Sequence, residues 1–108
     1  MKKSIPHIAI IGTDQLGSRH LQGLSSIRQD INISVVDPNK NAIEIAKQRL
    51  NMMPSNHHVK SVNYVNNLKD LASEIDLSII ATNSDIRRKI IEELLINVRV
   101  RYMILEKV

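Results

Sequence analysis

The chain has 108 residues, the length of one domain, and at that size folding hides roughly 60 to 70% of the surface the unfolded chain exposes, enough for a real core. It has no cysteine, which excludes a disulfide framework, a thiolate nucleophile and a cysteine-based zinc site and suits a reducing, cytoplasmic location. The formal net charge is +4, but the basic residues are spread along the chain and Tyr64 and Tyr102 leave little for base stacking, so no nucleic-acid partner is expected.

In chain order, Lys2 and Lys3 precede an apolar stretch that Pro6 and His7 interrupt. The run Ile8 to Ile11 is too short for a signal-peptide core, and no run is long enough to span a bilayer, so no membrane partner is expected. His7 to Ile11 reads instead as a first strand, nearly all apolar, as a central strand buried on both faces is. Leu16, His20, Leu24 and Ile27 recur at helical spacing and predict a helix from about Gln15 to Arg28. Ile31 to Val36 is a second strand. Pro38 suits the first turn of a second helix, with Ala42, Ile45, Ala46 and Leu50 as its inward stripe. Asn51 to Ser61 has no periodicity, carries Pro54 and reads as a surface connection, and His57 and His58 within it lack metal-ligand spacing and read as solvated. Val62 to Val65 is a short third strand, Leu68 to Ser73 a brief helix, and Leu77 to Thr82 a fourth strand. Ser84 can cap a helix bearing Ile86, Ile90, Ile91, Leu94 and Leu95, and Tyr102 to Leu105 is the last strand. With no repeat, linker or low-complexity segment, this alternation predicts an α/β fold, a doubly wound parallel sheet in a single three-layer domain.

In such a sheet a ligand sits beyond the carboxyl ends of the strands, where the strand order reverses. After the first strand comes Gly12-Thr13-Asp14-Gln15-Leu16-Gly17, and after the second comes Asp37. This is the pattern of a Rossmann-type dinucleotide-binding turn. Gly12 permits the tight turn, Gly17 lets the first helix lie close to the sheet, and the helix start at Gln15 and Leu16 offers N–H groups to a pyrophosphate. Asp37 can hold the ribose hydroxyls of an adenosine, and Lys40 nearby can accommodate a 2′-phosphate, so the expected cofactor is NAD or NADP. Asp-Pro at a strand-to-helix junction is equally good capping chemistry without a ligand. The full fingerprint has a glycine where this chain has Asp14. A carboxylate about 4 Å from a phosphate charge costs on the order of 4 kcal/mol at an effective dielectric of 20. Asp14 therefore either turns aside or caps the first helix and occupies the dipole site itself. His20, on the apolar face of that helix, reads as a packed or hydrogen-bonded histidine.

Four segments together resemble the amino-terminal domain of the Gfo/Idh/MocA oxidoreductase family. They are Ile8-Ala9-Ile10-Ile11-Gly12 through Gly17-Ser18-Arg19-His20, then Val36-Asp37-Pro38, then Ile80-Ala81-Thr82-Asn83, and finally Leu105-Glu106-Lys107-Val108. The resemblance covers essentially the whole chain, and the stretches from Gln15 to Leu24 and from Ile104 to Val108 are similar to members linked to bacterial surface-polysaccharide synthesis. It implies an NAD(P)-dependent oxidoreductase acting on a hydroxyl or carbonyl of a sugar or sugar nucleotide. By resemblance, Lys107 is the catalytic residue close to the nicotinamide and the reacting hydroxyl, Glu106 lies on the cofactor's ribose side, and Ala81, Thr82 and Asn83 pass beneath the cofactor. An ammonium beside a developing alkoxide stabilises its charge and can shuttle a proton; without the resemblance Lys107 reads simply as a lysine ending a strand.

In that family a second domain, which forms the substrate pocket, begins shortly after the position of Lys107. The expectation is a cofactor domain of a longer enzyme, inactive alone, whose exposed apolar surface favours self-association into a homo-oligomer. Three residues depart from the family pattern: Asp14 for the middle glycine, Val108 for a proline, and Arg87 where many members carry a histidine. Asp14 is the main support for a rival reading, a degenerate Rossmann module that no longer binds dinucleotide and serves as a scaffold or regulatory partner.

Overall fold

Apolar β-branched runs must be covered on both faces, and here five strands achieve this as one parallel sheet. They are β1 (His7–Ile11), β2 (Ile31–Val36), β3 (Val59–Val65), β4 (Glu74–Ile80) and β5 (Arg99–Leu105). The computed structural model describes residues 5–12, 15–82 and 84–106, and for residues 15–18 and 84 the backbone alone. The strand order is β3-β2-β1-β4-β5, and every neighbouring pair is parallel. The chain thus winds outward from β1 to β3, then returns to lay β4 on the other side of β1, which makes the β1/β4 boundary the point where the order reverses.

Alternation along the strands splits the core into two layers. Ile8, Ile10, Ile31, Ile33 and Val35 pack under Leu21 of α1 (Gln15–Leu24) and Ile43 and Ala46 of α2 (Lys40–Asn51). Ala9, Ile11, Val36 and Ile80 face the opposite way, against Leu68 of a single 3-10 turn (Leu68–Asp70) and Leu94 of α3 (Ser84–Asn97), with Val98 just beyond it. The doubly wound, three-layer architecture expected from the sequence is therefore present. Among the described residues, no helix is long and apolar enough to cross a membrane.

The ends of β1 and β2 fall where the sequence places them; most other boundaries differ, each for a local reason. Helix α1 stops at Leu24 rather than Arg28. Ser26 N–H reaches only Gly23 and Ile27 N–H only Leu24, and the Asn56 amide donates to the carbonyls of Ser25 and Ile27 at 2.7 Å each, taking acceptors that a continuing helix needs. Helix α2 is capped by Asn39, whose Oδ1 accepts from Asn41 and Ala42 N–H, so Pro38 precedes the cap instead of opening the helix. Its inward stripe is Ile43, Ala46 and Leu50. Ile45, two residues or about 200° from Ile43 on the helical wheel, is 46% exposed.

Strand β3 starts at Val59 because Ile31 N–H pairs with the His58 carbonyl at 2.9 Å. His58 is consequently not a free loop residue: its Nδ1 lies 2.9 Å from Asp30 Oδ1, a hydrogen bond that holds the Asp30 carboxyl below its ordinary pKa. β4 and β5 begin earlier than the apolar runs suggest, at Glu74 and Arg99, with Arg99 N–H bonded to the Ser73 carbonyl. The predicted cap at Ser84 is instead the first helical residue of α3. On that helix Leu94 is buried, whereas Ile86 and Leu95, placed in the inward stripe, are 47% and 55% exposed.

The expected third helix is only one 3-10 turn, and this changes the chemistry of one sheet face. Aligned across β1, β2 and β3 on the α3 side are His7, Asn32 and Ser61, and then Ser34 with Asn63. A helix there would demand apolar partners; in its place the side chains bond one another, His7 Nε2 to Ser34 Oγ at 2.6 Å and Ser61 Oγ to Asn32 Oδ1 at 2.8 Å. Burial holds the His7 imidazole below its ordinary value of 6.5, and the Asp76 carboxylate only partly offsets that.

Two outcomes follow. Leu94→Ala should destabilise the domain by about 2 to 5 kcal/mol, while Ile96→Ser, at a position 83% exposed, should change stability by less than about 0.5 kcal/mol, both read by urea unfolding. Because the unfolded chain takes a proton at His7 more readily than the folded one, His7 contributes stability that is complete above about pH 6.5 and declines as the pH falls below it. His7→Gln, which can keep the bond to Ser34, should flatten that decline between about pH 7 and pH 5; equal slopes for the two proteins would refute the assignment.

Candidate functional site

Gly12 has φ +95°, a conformation that L side chains rarely adopt, and it lies flat against the end of β4. A Cβ at this position would meet the Ala81 carbonyl oxygen at 2.9 Å and Thr82 Cγ2 at 3.2 Å. The turn is glycine for two independent reasons, backbone conformation and close approach. Hydrogen bonding continues one residue beyond the strands here: Gly12 N–H to the Val36 carbonyl and Ala81 N–H to the Ile11 carbonyl, both at 2.8 Å, and Asp37 N–H to the Val65 carbonyl at 3.1 Å.

Around this platform opens a cleft of about 460 Å³, at the carboxyl ends of β1, β2 and β4. That volume is within the range of small-ligand pockets, roughly 300 to 1,000 Å³. Gly12 and Ala81 form part of its lining, Val36, Leu68, Ile86 and Ile90 supply apolar walls, and Asp37, Asn39, Asn66, Thr82, Lys89 and Glu93 supply polar groups. Four residues selected from the sequence, Gly12, Asp37, Ala81 and Thr82, are thereby brought to one site.

Asp37 is held from several directions. Its Oδ1 accepts the Asn39 N–H at 2.9 Å, and its carbonyl accepts from the Asn66 amide at 3.0 Å. Asp37 does not itself cap α2, as Asp-Pro suggested: its side chain closes a turn onto the Asn39 N–H, and Asn39 is the cap. Thr82 Oγ1 is buried with no hydrogen-bond partner among the described residues.

Glu106 belongs to a different neighbourhood. It does not line the cleft; its Oε1 lies 2.8 Å from Nε2 of His20, a pair whose side chains are each 30% exposed. From the other face of the sheet, Arg87 Nη2 donates to the Glu106 carbonyl and, at 3.5 Å, to the Thr82 carbonyl. His20 is thus hydrogen-bonded, as its place on α1 suggests, but to a strand-end carboxylate.

Asp14, Asn83 and Lys107 lie outside the described residues. Gln15, Leu16 and Gly17 form the first turn of α1, with only their backbone described. No group of three or more His, Asp or Glu positioned to hold a metal ion occurs among the described residues. Sequence reasoning assigned no cleft role to Asn39, Asn66, Lys89, Ile90 or Glu93, and marked Arg87, beside the cleft, only as a departure from the family pattern. Asn66 had a usable signal, since it directly follows a parallel strand, where ligand-facing residues gather.

No protein-family model matches the chain, and no curated protein matches it. Among solved structures, a diketoreductase with substrate-directed dual catalysis of dicarbonyl compounds is similar over 98% of this chain, with a TM-score of 0.69 and 18% sequence identity. The chain spans 42% of the length of that protein. At this identity the likeness is one of fold.

Gly12→Ala should destabilise the domain by roughly 2 kcal/mol or more, from the positive φ and the approach to Ala81 together. Gly23→Ala, where an added Cβ meets nothing within 4 Å, should be neutral or stabilising by up to about 1 kcal/mol, and a thermal melt of each variant checks the contrast.

Proposed function

We propose that this chain is the NAD(P)-binding domain of an oxidoreductase that transfers a hydride between the nicotinamide and a hydroxyl or carbonyl carbon of a sugar or sugar nucleotide, related to the Gfo/Idh/MocA family and serving surface polysaccharide synthesis. The observation that carries the cofactor half is the cleft at the point of strand-order reversal, floored by a glycine turn too close to Ala81 for any side chain. The residues fit the group. Gly12 provides a surface that phosphates can approach, the backbone at Gln15 and Leu16 begins a helix whose N–H groups suit an anion, and Asp37 accepts ribose hydroxyls. Val36, Ile86 and Ile90 offer apolar walls for a base, and Thr82 Oγ1 is a buried polar atom awaiting a partner.

The fold similarity to a dicarbonyl-reducing enzyme and the resemblance of Glu106-Lys107 to the family's strand-five motif support the oxidoreductase half. In this reading Lys107 stabilises the developing alkoxide and moves its proton, while the bound cofactor supplies the hydride. The sugar-type substrate is held by a further domain of the enzyme, and the location is the cytoplasm. The rival reading, a scaffold without dinucleotide binding, is favoured by Asp14 in the place of the middle glycine.

Calorimetric titration of NAD⁺, NADH, NADP⁺ and NADPH into the domain tests the proposal. At least one should bind, Asp37→Ala should weaken that binding by about tenfold, and Asp14→Gly should leave it unchanged or strengthen it. Absence of binding by all four at millimolar concentration, in wild type and Asp14→Gly alike, overturns the cofactor reading in favour of the scaffold.

A further inference from the structure

We propose that Lys89 and Glu93 of α3 read the base of the bound nucleotide: Glu93 accepts from the exocyclic amine of adenine and Lys89 donates to a ring nitrogen beside it. The cleft then selects an adenine nucleotide over a hypoxanthine or guanine one. This selectivity rests on the cofactor reading above and deepens it.

One face of α3 turns toward the cleft. Ile86, Lys89, Ile90 and Glu93 all line it, at the i, i+3, i+4 and i+7 spacing of residues on one side of a helix. Because α3 runs from the carboxyl end of β4 back to the amino end of β5, each turn carries its residues away from the strand ends, and Glu93 lies about 10 Å along the axis from Ile86. This length of α3 is open to a ligand because the crossover between β3 and β4 holds a single 3-10 turn. Ile86 is 47% exposed although it lines the cleft, and Ile90 and Leu68 line the same space. A flat ring laid against them removes apolar surface from water. A ribose held at Asp37 carries its base one glycosidic bond away, within the same cleft of about 460 Å³.

Two charged groups stand among these apolar ones. Neither the Lys89 ammonium nor the Glu93 carboxylate has an ion-pair or hydrogen-bond partner among the described residues. Their neighbours one position back, Arg88 and Glu92, have the same i, i+4 relation and do pair, at 3.2 Å. On the cleft face the two groups stay apart, one donor and one acceptor side by side on the helix. Adenine carries an amine donor flanked by ring-nitrogen acceptors, the complement of Glu93 beside Lys89. Hypoxanthine and guanine carry a carbonyl in place of that amine, and the base in the same placement sets its oxygen against the Glu93 carboxylate, two acceptors with no proton between them.

Calorimetric titration tests this with two ligand pairs that differ at the base alone. AMP and IMP carry base and ribose without the pyrophosphate or the nicotinamide; NADH and reduced nicotinamide hypoxanthine dinucleotide carry all of them. Wild type should bind the adenine member of each pair about fivefold tighter. Glu93→Ala and Glu93→Gln, whose amide can turn to present either a donor or an acceptor, should bring both ratios close to one, and Lys89→Met should weaken AMP binding by about threefold. Both positions are exposed, so thermal melts of the variants should match wild type. A wild-type ratio of one, or an unchanged ratio in Glu93→Ala, overturns the base selectivity and leaves the cofactor reading standing where NADH binds. Wild-type affinity for AMP in Lys89→Met overturns the lysine half. Preference for AMP over IMP with no dinucleotide bound supports the base selectivity and overturns the dinucleotide reading, and absence of binding by AMP and NADH alike at millimolar concentration overturns both.

Discussion

The close approach of Gly12 to Ala81 is the constraint on which the rest of the carboxyl-end architecture depends. β1 is the central strand, and at its end the chain must turn into α1 while the end of β4 passes alongside. Gly12 serves both, with φ +95° and no Cβ to strike the Ala81 carbonyl. The 2.8 Å bonds from Gly12 to Val36 and from Ala81 to Ile11 then tie the three strand ends into one platform. A side chain at position 12 would lift the turn off that platform, and the floor of the cleft would move with it. The same contact explains why the cleft lies where strand order reverses: only there do connections leave a neighbouring pair of strands in opposite directions.

A second consequence runs from the crossover between β3 and β4. Since it holds one 3-10 turn in place of a helix, the two faces of β2 and β3 meet different surroundings. The face under α1 and α2 is a continuous apolar layer through Ile33, Val35, Val62 and Tyr64. The other carries Asn32, Ser34 and Ser61, of which Ser34 bonds His7 of β1 and Ser61 bonds Asn32. Toward the carboxyl ends, Leu68 of the 3-10 turn and Ile86 and Ile90 of α3 line the cleft. The thin cover over β2 and β3 thus leaves room for a ligand beside Asp37.

β1 and β2 were legible to their last residue, because each is rich in isoleucine or valine and closed by a residue with its own turn chemistry, Gly12 or Asp37. β3 and β5 were legible only in their apolar halves, since Lys60, Ser61, Arg99 and Arg101 alternate with apolar residues on strands that form the two sheet edges. In α2, both Ile43 and Ile45 start a plausible stripe, and composition does not choose between them; the sheet beneath the helix does. The strand-end residues of the cleft were readable because parallel sheets put ligand groups there. Asn66 with Asp37, Arg87 with Glu106, and His20 with Glu106 join residues 29, 19 and 86 positions apart, and no local pattern announces such a pairing.

Asp37 shows how the turn that starts a helix also fixes a carboxylate at the cleft. Its Oδ1 receives the Asn39 N–H, Asn39 in turn caps α2, and Asn66 holds the Asp37 carbonyl. A carboxylate has acceptor sites for several donors, and the Asn39 N–H orients this one. On the proposed cofactor reading, the order that a free aspartate would lose on binding a ribose is already lost on folding, and the cost falls on the stability of the β2-to-α2 turn instead of on affinity. That is why Asp-Pro after a strand reads equally well as a helix start and as a ribose site: the local geometry that makes the first is the preorganisation that the second needs.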